Sequence, residues 1–314
     1  MNIRLGIVFA CLMVGSASWA SELATLPRAP LDASKLKLAS ANVLIYDAKA
    51  GELIYSKSAD TVTPIASVTK LMTAMVVLDA GQPLDERLTV SIGDLDLLKG
   101  SHSRLNLGSE LSRGEMLKVA LMASENRAAS SLARHYPGGM EAAVEAMNRK
   151  ARRLGMTHTH FSDPTGLSSE NVSTADDLSR MVRAAATYPL IREATTTASS
   201  YVEVQPTGRI LGYNNTNSLV RGGQWDIVLS KTGFIREAGK CLVMLANIAS
   251  REVVIVLLDS YGRLTRIGDA NRVKHWLETG QSLPAARPAR ATRVKGTLPP
   301  ASSVRSTSKS RSRA

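Results

Sequence analysis

Apolar strand-like runs at both ends of the chain, with helix-patterned segments between them, predict an α+β fold. The expected architecture is one antiparallel sheet assembled from both ends of the sequence and flanked by helices. A mainly helical lobe of about 82–205 is inserted between the two halves. A hydrophobic content of 44% across 314 residues is enough for a real core and excludes wholesale disorder.

The elements follow in order. Asn42–Tyr46 and Glu52–Tyr55 read as short strands, and Asp47–Gly51 is a turn that joins them into a hairpin. Ser67–Ala80 has helix formers throughout, with Leu71, Met72, Met75, Val76 and Leu78 as its apolar positions, and Gly81 stops it. Ser112-Arg-Gly-Glu115 matches a capping box that opens a helix over Met116–Ala123. Glu141–Leu154 is a second amphipathic helix, ended by Gly155. A third, Ala175–Thr187, is capped by Ser173 or Thr174 and followed by Pro189. Strand patterning returns after about 210. Asp226–Leu229, Cys241–Ile248 and Glu252–Leu258 are the runs, the last two joined by a tight turn at Ala249–Arg251. Arg263–Leu277 closes as a helix. No internal repeat is present.

The two ends have different characters. Arg4, the apolar run Leu5–Val14 and Ser18-Trp19-Ala20 read as a secretory signal, residues 1–20, cleaved after Ala20. That run is too short to span a bilayer, and nothing downstream is long and apolar enough. Residues 21–37 read as an extended lead-in to a folded domain over 38–280. The tail 281–314 carries eight Lys or Arg, no acid and no apolar period, so it is expected to be disordered. Removing those eight charges and Arg4 from the net +12 leaves +3, a nearly balanced folded body. Cys11 falls in the signal, and Cys241 sits in an apolar run that suits a buried, inert thiol.

Three short motifs carry the chemistry: Ser67-Val68-Thr69-Lys70, Ser124-Glu125-Asn126 and Lys231-Thr232-Gly233. A serine hydroxyl is a poor nucleophile without a base beside it. Ser67 and Lys70 are three apart, so a helix places both on one face. Lysine acts as a base only when its ammonium is destabilised by burial or by a second cation, for which Lys231 is the candidate. Ser124 is placed to relay a proton to a leaving amine, and Asn126 to hold a substrate amide. Lys231 or Thr232 suits a substrate carboxylate, and Gly233 permits close backbone approach by a substrate. The N–H of Ser67, in a first helical turn, and that of Phe234 are the candidate oxyanion donors. Each motif alone is a weak signal. In order, 57 and 107 residues apart and each in the right helix or strand context, they make one site.

With these motifs the chain resembles the low-molecular-mass penicillin-binding proteins, the serine D-Ala-D-Ala peptidases of bacterial cell walls. The likeness covers roughly residues 38–280. Asp163-Pro-Thr-Gly-Leu167, Ser173-Thr-Ala-Asp176-Asp-Leu178 and Asn215-Thr-Asn217 strengthen it, and Ser124–Gly139 is similar to the penicillin-binding protein 7 type, whose members are DD-endopeptidases. The resemblance implies a β-lactamase/transpeptidase-like fold with the site in a cleft between sheet and helical lobe. It implies an acyl-enzyme at Ser67, Lys70 as general base, assistance by Ser124 and Asn126, and carboxylate binding by Lys231 and Thr232. It further implies peptidoglycan peptide stems as substrate, β-lactams as covalent inhibitors, a periplasmic location, and no cofactor and no metal.

Other readings fit less well. Class A β-lactamases deacylate with a glutamate in an E-x-x-L-N loop, and Glu170-Asn171-Val-Ser does not match it. DD-carboxypeptidases use the same machinery but often add a further domain and an amphipathic anchor. Only a basic tail of about 35 residues is expected after the Arg263–Leu277 helix, and that lack of a further domain and anchor favours the endopeptidase. A non-catalytic wall-binding module would have no need of an intact Ser67 and Lys70. His158-Thr-His160 lacks a carboxylate partner and reads as a surface loop, and no G-x-S-x-G motif is present. The tail has no stacking aromatics, so no nucleic-acid partner is expected. Peripheral association with an anionic envelope suits it better, and a plain solubilising tail better still.

Overall fold

The computed structural model describes residues 31–284 apart from residue 98. The signal reading of 1–20, the start of the lead-in at 21–30 and tail residues 285–314 lie outside the described residues.

The chain builds its elements largely where local chemistry directs. β1 (Asn42–Asp47) and β2 (Glu52–Lys57) form a hairpin. Its turn is held by the Asp47 carboxylate, which accepts from the N–H groups of Lys49 and Ala50, and Gly51 takes the left-handed conformation at φ +74°. β3 (Thr63–Pro64) leads into a 3-10 turn, Ala66–Thr69, and then α1 (Lys70–Asp79). Every residue of α1 from Lys70 to Val77 is buried, as an all-round apolar helix requires.

The inserted lobe follows. It contains β4 (Arg87–Thr89), β5 (Glu110–Ser112), α2 (Arg113–Met122), α3 (Asn126–Arg134) and α4 (Gly139–Arg153). The capping box at Ser112 and Glu115 is formed in both directions, so α2 starts at Arg113, earlier than the apolar pattern suggests. β6 (Val172–Ser173) pairs back to β3. α5 (Ala175–Ala185) is capped by Thr174, whose hydroxyl accepts the N–H of Asp177. α6 (Pro189–Thr196) was not expected: Pro189 opens a helix at its first turn, where a missing N–H costs nothing. β7 (Ser199–Val204) and β8 (Arg209–Asn214) form a hairpin, so strand structure begins within the region assigned to helix.

After a short α7 (Ser218–Arg221) come three long strands, β9 (Asp226–Ile235), β10 (Gly239–Ile248) and β11 (Arg251–Ser260), and then α8 (Thr265–Thr279). The main sheet has the order β2-β1-β11-β10-β9 and is antiparallel throughout, so both ends of the sequence supply it as the patterning predicts. Apart from the edge strand β2, it is buried on both faces. Val43, Ile45, Leu242, Met244, Ile255 and Leu257 face α8 through Val273 and Trp276. Leu44, Val243, Leu245, Val254 and Val256 face α1 and the helical lobe. Burial on both sides is why these strands read as continuous apolar runs rather than alternating ones. The described part of the lead-in is more than a spacer, since Leu36 buries against the α8 layer beside Leu38 of the domain. Among the described residues no helix is long and apolar enough to cross a membrane.

One buried carboxylate ties the start of the folded chain to its last helix. Asp269 on α8 accepts from the backbone N–H groups of Ala39 and Ser40, from the Ser40 hydroxyl at 2.7 Å, and from Arg272 at 2.9 Å. Asp269→Leu takes the acceptor from these donors, those of Ser40 and Arg272 being buried. It is expected to lower unfolding free energy by about 3–5 kcal/mol, read by urea denaturation.

Candidate active site

β9 is an edge strand, so the backbone groups on its outer side have no partner strand. That edge forms one wall of a cleft of 780 Å³. Ser67, Ser101, Ser124, Asn126, Thr216, Thr232, Gly233, Phe234 and Arg266 are among its lining residues. The three sequence motifs therefore meet, although 164 residues separate the first from the last.

Ser67 sits in the 3-10 turn rather than in α1 proper. Ala66 before it has φ +48°, a left-handed conformation that costs a non-glycine residue about 1 kcal/mol or more. Lys70 opens α1, and its Nζ donates to Ser67 Oγ at 3.0 Å, to Asn126 Oδ1 at 2.7 Å and to the Thr165 carbonyl at 2.7 Å. Burial pushes the Lys70 amine down to about 7, against the upward pull of the Asp163, Glu125 and Asp96 carboxylates. A lysine so poised exchanges protons with the serine next to it at neutral pH.

Ser124 occupies the link between α2 and α3 at φ +61°, another left-handed non-glycine residue. Its Oγ accepts from Lys231 Nζ at 2.9 Å. Asn126 begins α3, a helix that the sequence patterning does not single out, and donates from Nδ2 to Ser101 Oγ at 2.8 Å. Burial, Lys70 and Arg266 together hold the Lys231 amine well below the ordinary lysine range. Lys231 is 1% exposed and lies behind Ser124. This alters the expected carboxylate contact. The groups presented to the cleft are the Thr232 hydroxyl, its hydrogen-bond partner Thr216 at 2.6 Å, and Arg266, while Lys231 Nζ is turned to Ser124.

Gly233 also has a different reason for being glycine. A Cβ there would lie 2.9 Å from the Ile65 carbonyl oxygen and 3.2 Å from Ser67 N. The close approach expected of a substrate backbone is made first by the turn that bears Ser67, so the glycine lets β9 approach the nucleophile. The Phe234 ring is exposed at the cleft, with Lys240 Nζ 3.9 Å above it. Arg266 donates to the Gly233 carbonyl at 3.3 Å. Arg266 and Thr216 were not singled out as site residues. The Asn215–Asn217 stretch pointed near Thr216, and nothing local marks Arg266 on α8.

Among the described residues no group of three or more His, Cys, Asp or Glu is placed to hold a metal. Cys241 is buried, its thiol pushed up to about 11 by desolvation, consistent with an inert side chain.

Because only the unprotonated amine can accept the serine proton, acylation by a fluorescent penicillin is expected to rise as pH climbs through about 7. Lys70→Ala should slow it by about 10²–10⁴-fold at pH 8, measured as initial labelling rate.

The family model for D-alanyl-D-alanine carboxypeptidases (peptidase family S11) matches residues 29–262. A D-alanyl-D-alanine endopeptidase of Pseudomonas aeruginosa is 47% identical over 289 residues, 91% of this chain and 92% of that protein. The crystal structure of the Streptomyces K15 DD-transpeptidase superposes with a TM-score of 0.72 at 28% identity, covering 77% of this chain and 98% of that one. Penicillin-binding protein D2 from Listeria monocytogenes, in its ampicillin-bound form, gives a TM-score of 0.67 at 28% identity over 77% of this chain and 98% of that one. With a cleft that gathers S-x-x-K, S-x-N and K-T-G around one serine, the chain belongs to the peptidase S11 family of serine-type D-alanyl-D-alanine peptidases.

Proposed function

We propose that this protein is a peptidoglycan DD-endopeptidase that cleaves D-alanyl cross-links through an acyl-enzyme at Ser67. The observation that carries the chemistry is the buried Lys70 amine, lowered to about 7 and 3.0 Å from Ser67 Oγ. Lys70 takes the hydroxyl proton as Ser67 attacks the D-alanyl carbonyl. The developing oxyanion is received by the N–H groups of Ser67 and Phe234. Ser124, held by Lys231, passes a proton to the leaving amine. Thr232, Thr216 and Arg266 engage the carboxylate beside that amine, and Asn126 engages the amide of the acyl side. Water then hydrolyses the acyl-enzyme, with Lys70 again as base. A β-lactam enters the same sequence and stops at the acyl-enzyme.

The choice of cross-link over terminal residue is supported by the 47% identical relative named an endopeptidase. The family description names carboxypeptidases, and that activity on pentapeptide stems is the second reading. We place the mature protein in the periplasm, exported by residues 1–20 and cut after Ala20, with the basic tail 281–314 adding peripheral attraction to the anionic envelope.

Mass analysis of products from cross-linked muropeptide dimers and from pentapeptide monomers tests the assignment. Dimers are expected to become monomers, and release of D-alanine alone would make the protein a carboxypeptidase. Ser67→Ala is expected to abolish penicillin labelling, and equal labelling of the variant would remove Ser67 from the mechanism. Deleting residues 281–314 should leave labelling intact and weaken salt-sensitive envelope association, read by fractionation at low and high salt.

A further inference from the structure

The loop before α5 is bonded to the Ser67–Lys70 segment more closely than any motif suggests. Asn171 Oδ1 accepts from the N–H of Ser162 at 2.7 Å and of Asp163 at 3.1 Å, while its Nδ2 donates to Thr69 Oγ1 at 3.1 Å. Thr73 of α1 donates to the Pro164 carbonyl at 2.7 Å. Within this frame Asp163 gathers the next turn around its carboxylate. Oδ1 accepts from Thr165 N at 2.6 Å, Thr165 Oγ1 at 2.5 Å and Gly166 N at 2.8 Å, and Oδ2 accepts from Ser168 N at 2.9 Å.

That turn does two things. It aims the Thr165 carbonyl at Lys70 Nζ, 2.7 Å away. It also lays Gly166, at φ +79°, against the peptide that precedes the nucleophile. A Cβ on Gly166 would stand 2.0 Å from the Ala66 carbonyl oxygen and 2.8 Å from Ser67 N. Ala66 is the residue held left-handed, so the turn backs the strained bond that presents Ser67.

We propose that Asp163 is a positioning residue for the Ser67–Lys70 pair, folding residues 163–168 into the turn that sets both the base and the nucleophile. The assignment rests on the roles given above to Ser67 and Lys70. The charged groups that act on Lys70 are Asp163 first, then Glu125 and Asp96, and Lys70 in turn disfavours the charge of the Lys231 amine. Asp163 is thus both the organiser of the turn and the principal negative charge opposing Lys70 deprotonation.

Penicillin acylation rates from pH 5 to 9 separate this role from a merely structural one. In Asp163→Asn the midpoint of the rise should move to lower pH by about one unit, because the charge that favours the ammonium is gone. Its high-pH plateau should fall about 10–100-fold as the pair loses alignment. Asp163→Glu keeps the charge, so its midpoint should match the wild type while its plateau falls. Thr165→Ala removes one of the carboxylate's donors without altering charge and should lower the plateau alone. An Asp163→Asn protein with an unmoved midpoint and a plateau within twofold of wild type overturns the proposal. If that variant lacks a cooperative thermal transition, unchanged plateaus in Asp163→Glu and Thr165→Ala overturn it instead. Wild-type protein that takes up no penicillin at any pH refutes the nucleophile assignment beneath the proposal, a result distinct from the others.

Discussion

A lysine amine buried against a serine hydroxyl is the constraint around which this molecule is arranged. An ammonium in an apolar interior is costly, and the cost is what makes the amine a base near neutrality. Lys70 must therefore be dry, yet every polar atom near it must be satisfied. The structure meets both needs with Asn126, Thr165 and Ser67, drawn from three separate stretches of chain. Lys231 repeats the arrangement behind Ser124, and the nearby Lys70 adds to the burial that makes its charge unfavourable. Two lysines in one site would repel in water. Here that repulsion falls on Lys231, while burial alone keeps Lys70 available as a proton acceptor.

Holding that pair requires backbone conformations that L-residues avoid. Ala66 and Ser124 both lie at positive φ, each just before or at a reactive hydroxyl. Such strain persists only where the surroundings over-determine it. Gly233 on β9 and Gly166 in the loop before α5 supply that pressure, packing backbone directly on the Ala66–Ser67 segment from two sides. The sheet and the helical lobe are thus the two jaws that hold the nucleophile, and the cleft between them is where substrate enters.

Sequence patterning captured what depends on near neighbours. The hairpin of Asn42–Lys57, the capping box at Ser112 and the Thr174 cap are each written within a few residues, and each is formed. The long strands were legible because burial on both faces leaves continuous apolar runs. The elements missed are those whose reason is distant. α3 is rich in Ser, Ala and Arg and takes its place from packing against α2 and α4. α6 begins at a proline that reads locally as a stop. β7 alternates over a short span and is completed by β8 and a bridge to β5.

The same division applies to the site. By itself the sequence determined its chemical inventory: a serine with a lysine three residues on, a second serine with its asparagine, and a lysine following an apolar strand run, because those spacings are local and their order is linear. Only the tertiary structure decided how the parts are used. It turned Lys231 away from the cleft and behind Ser124, brought Arg266 and Thr216 to the wall, and gave Gly233 to the protein's own backbone rather than to substrate. Burial, charge repulsion and close backbone approach are properties of residues far apart in the chain, and they exist only once the sheet and the lobe have closed on Ser67.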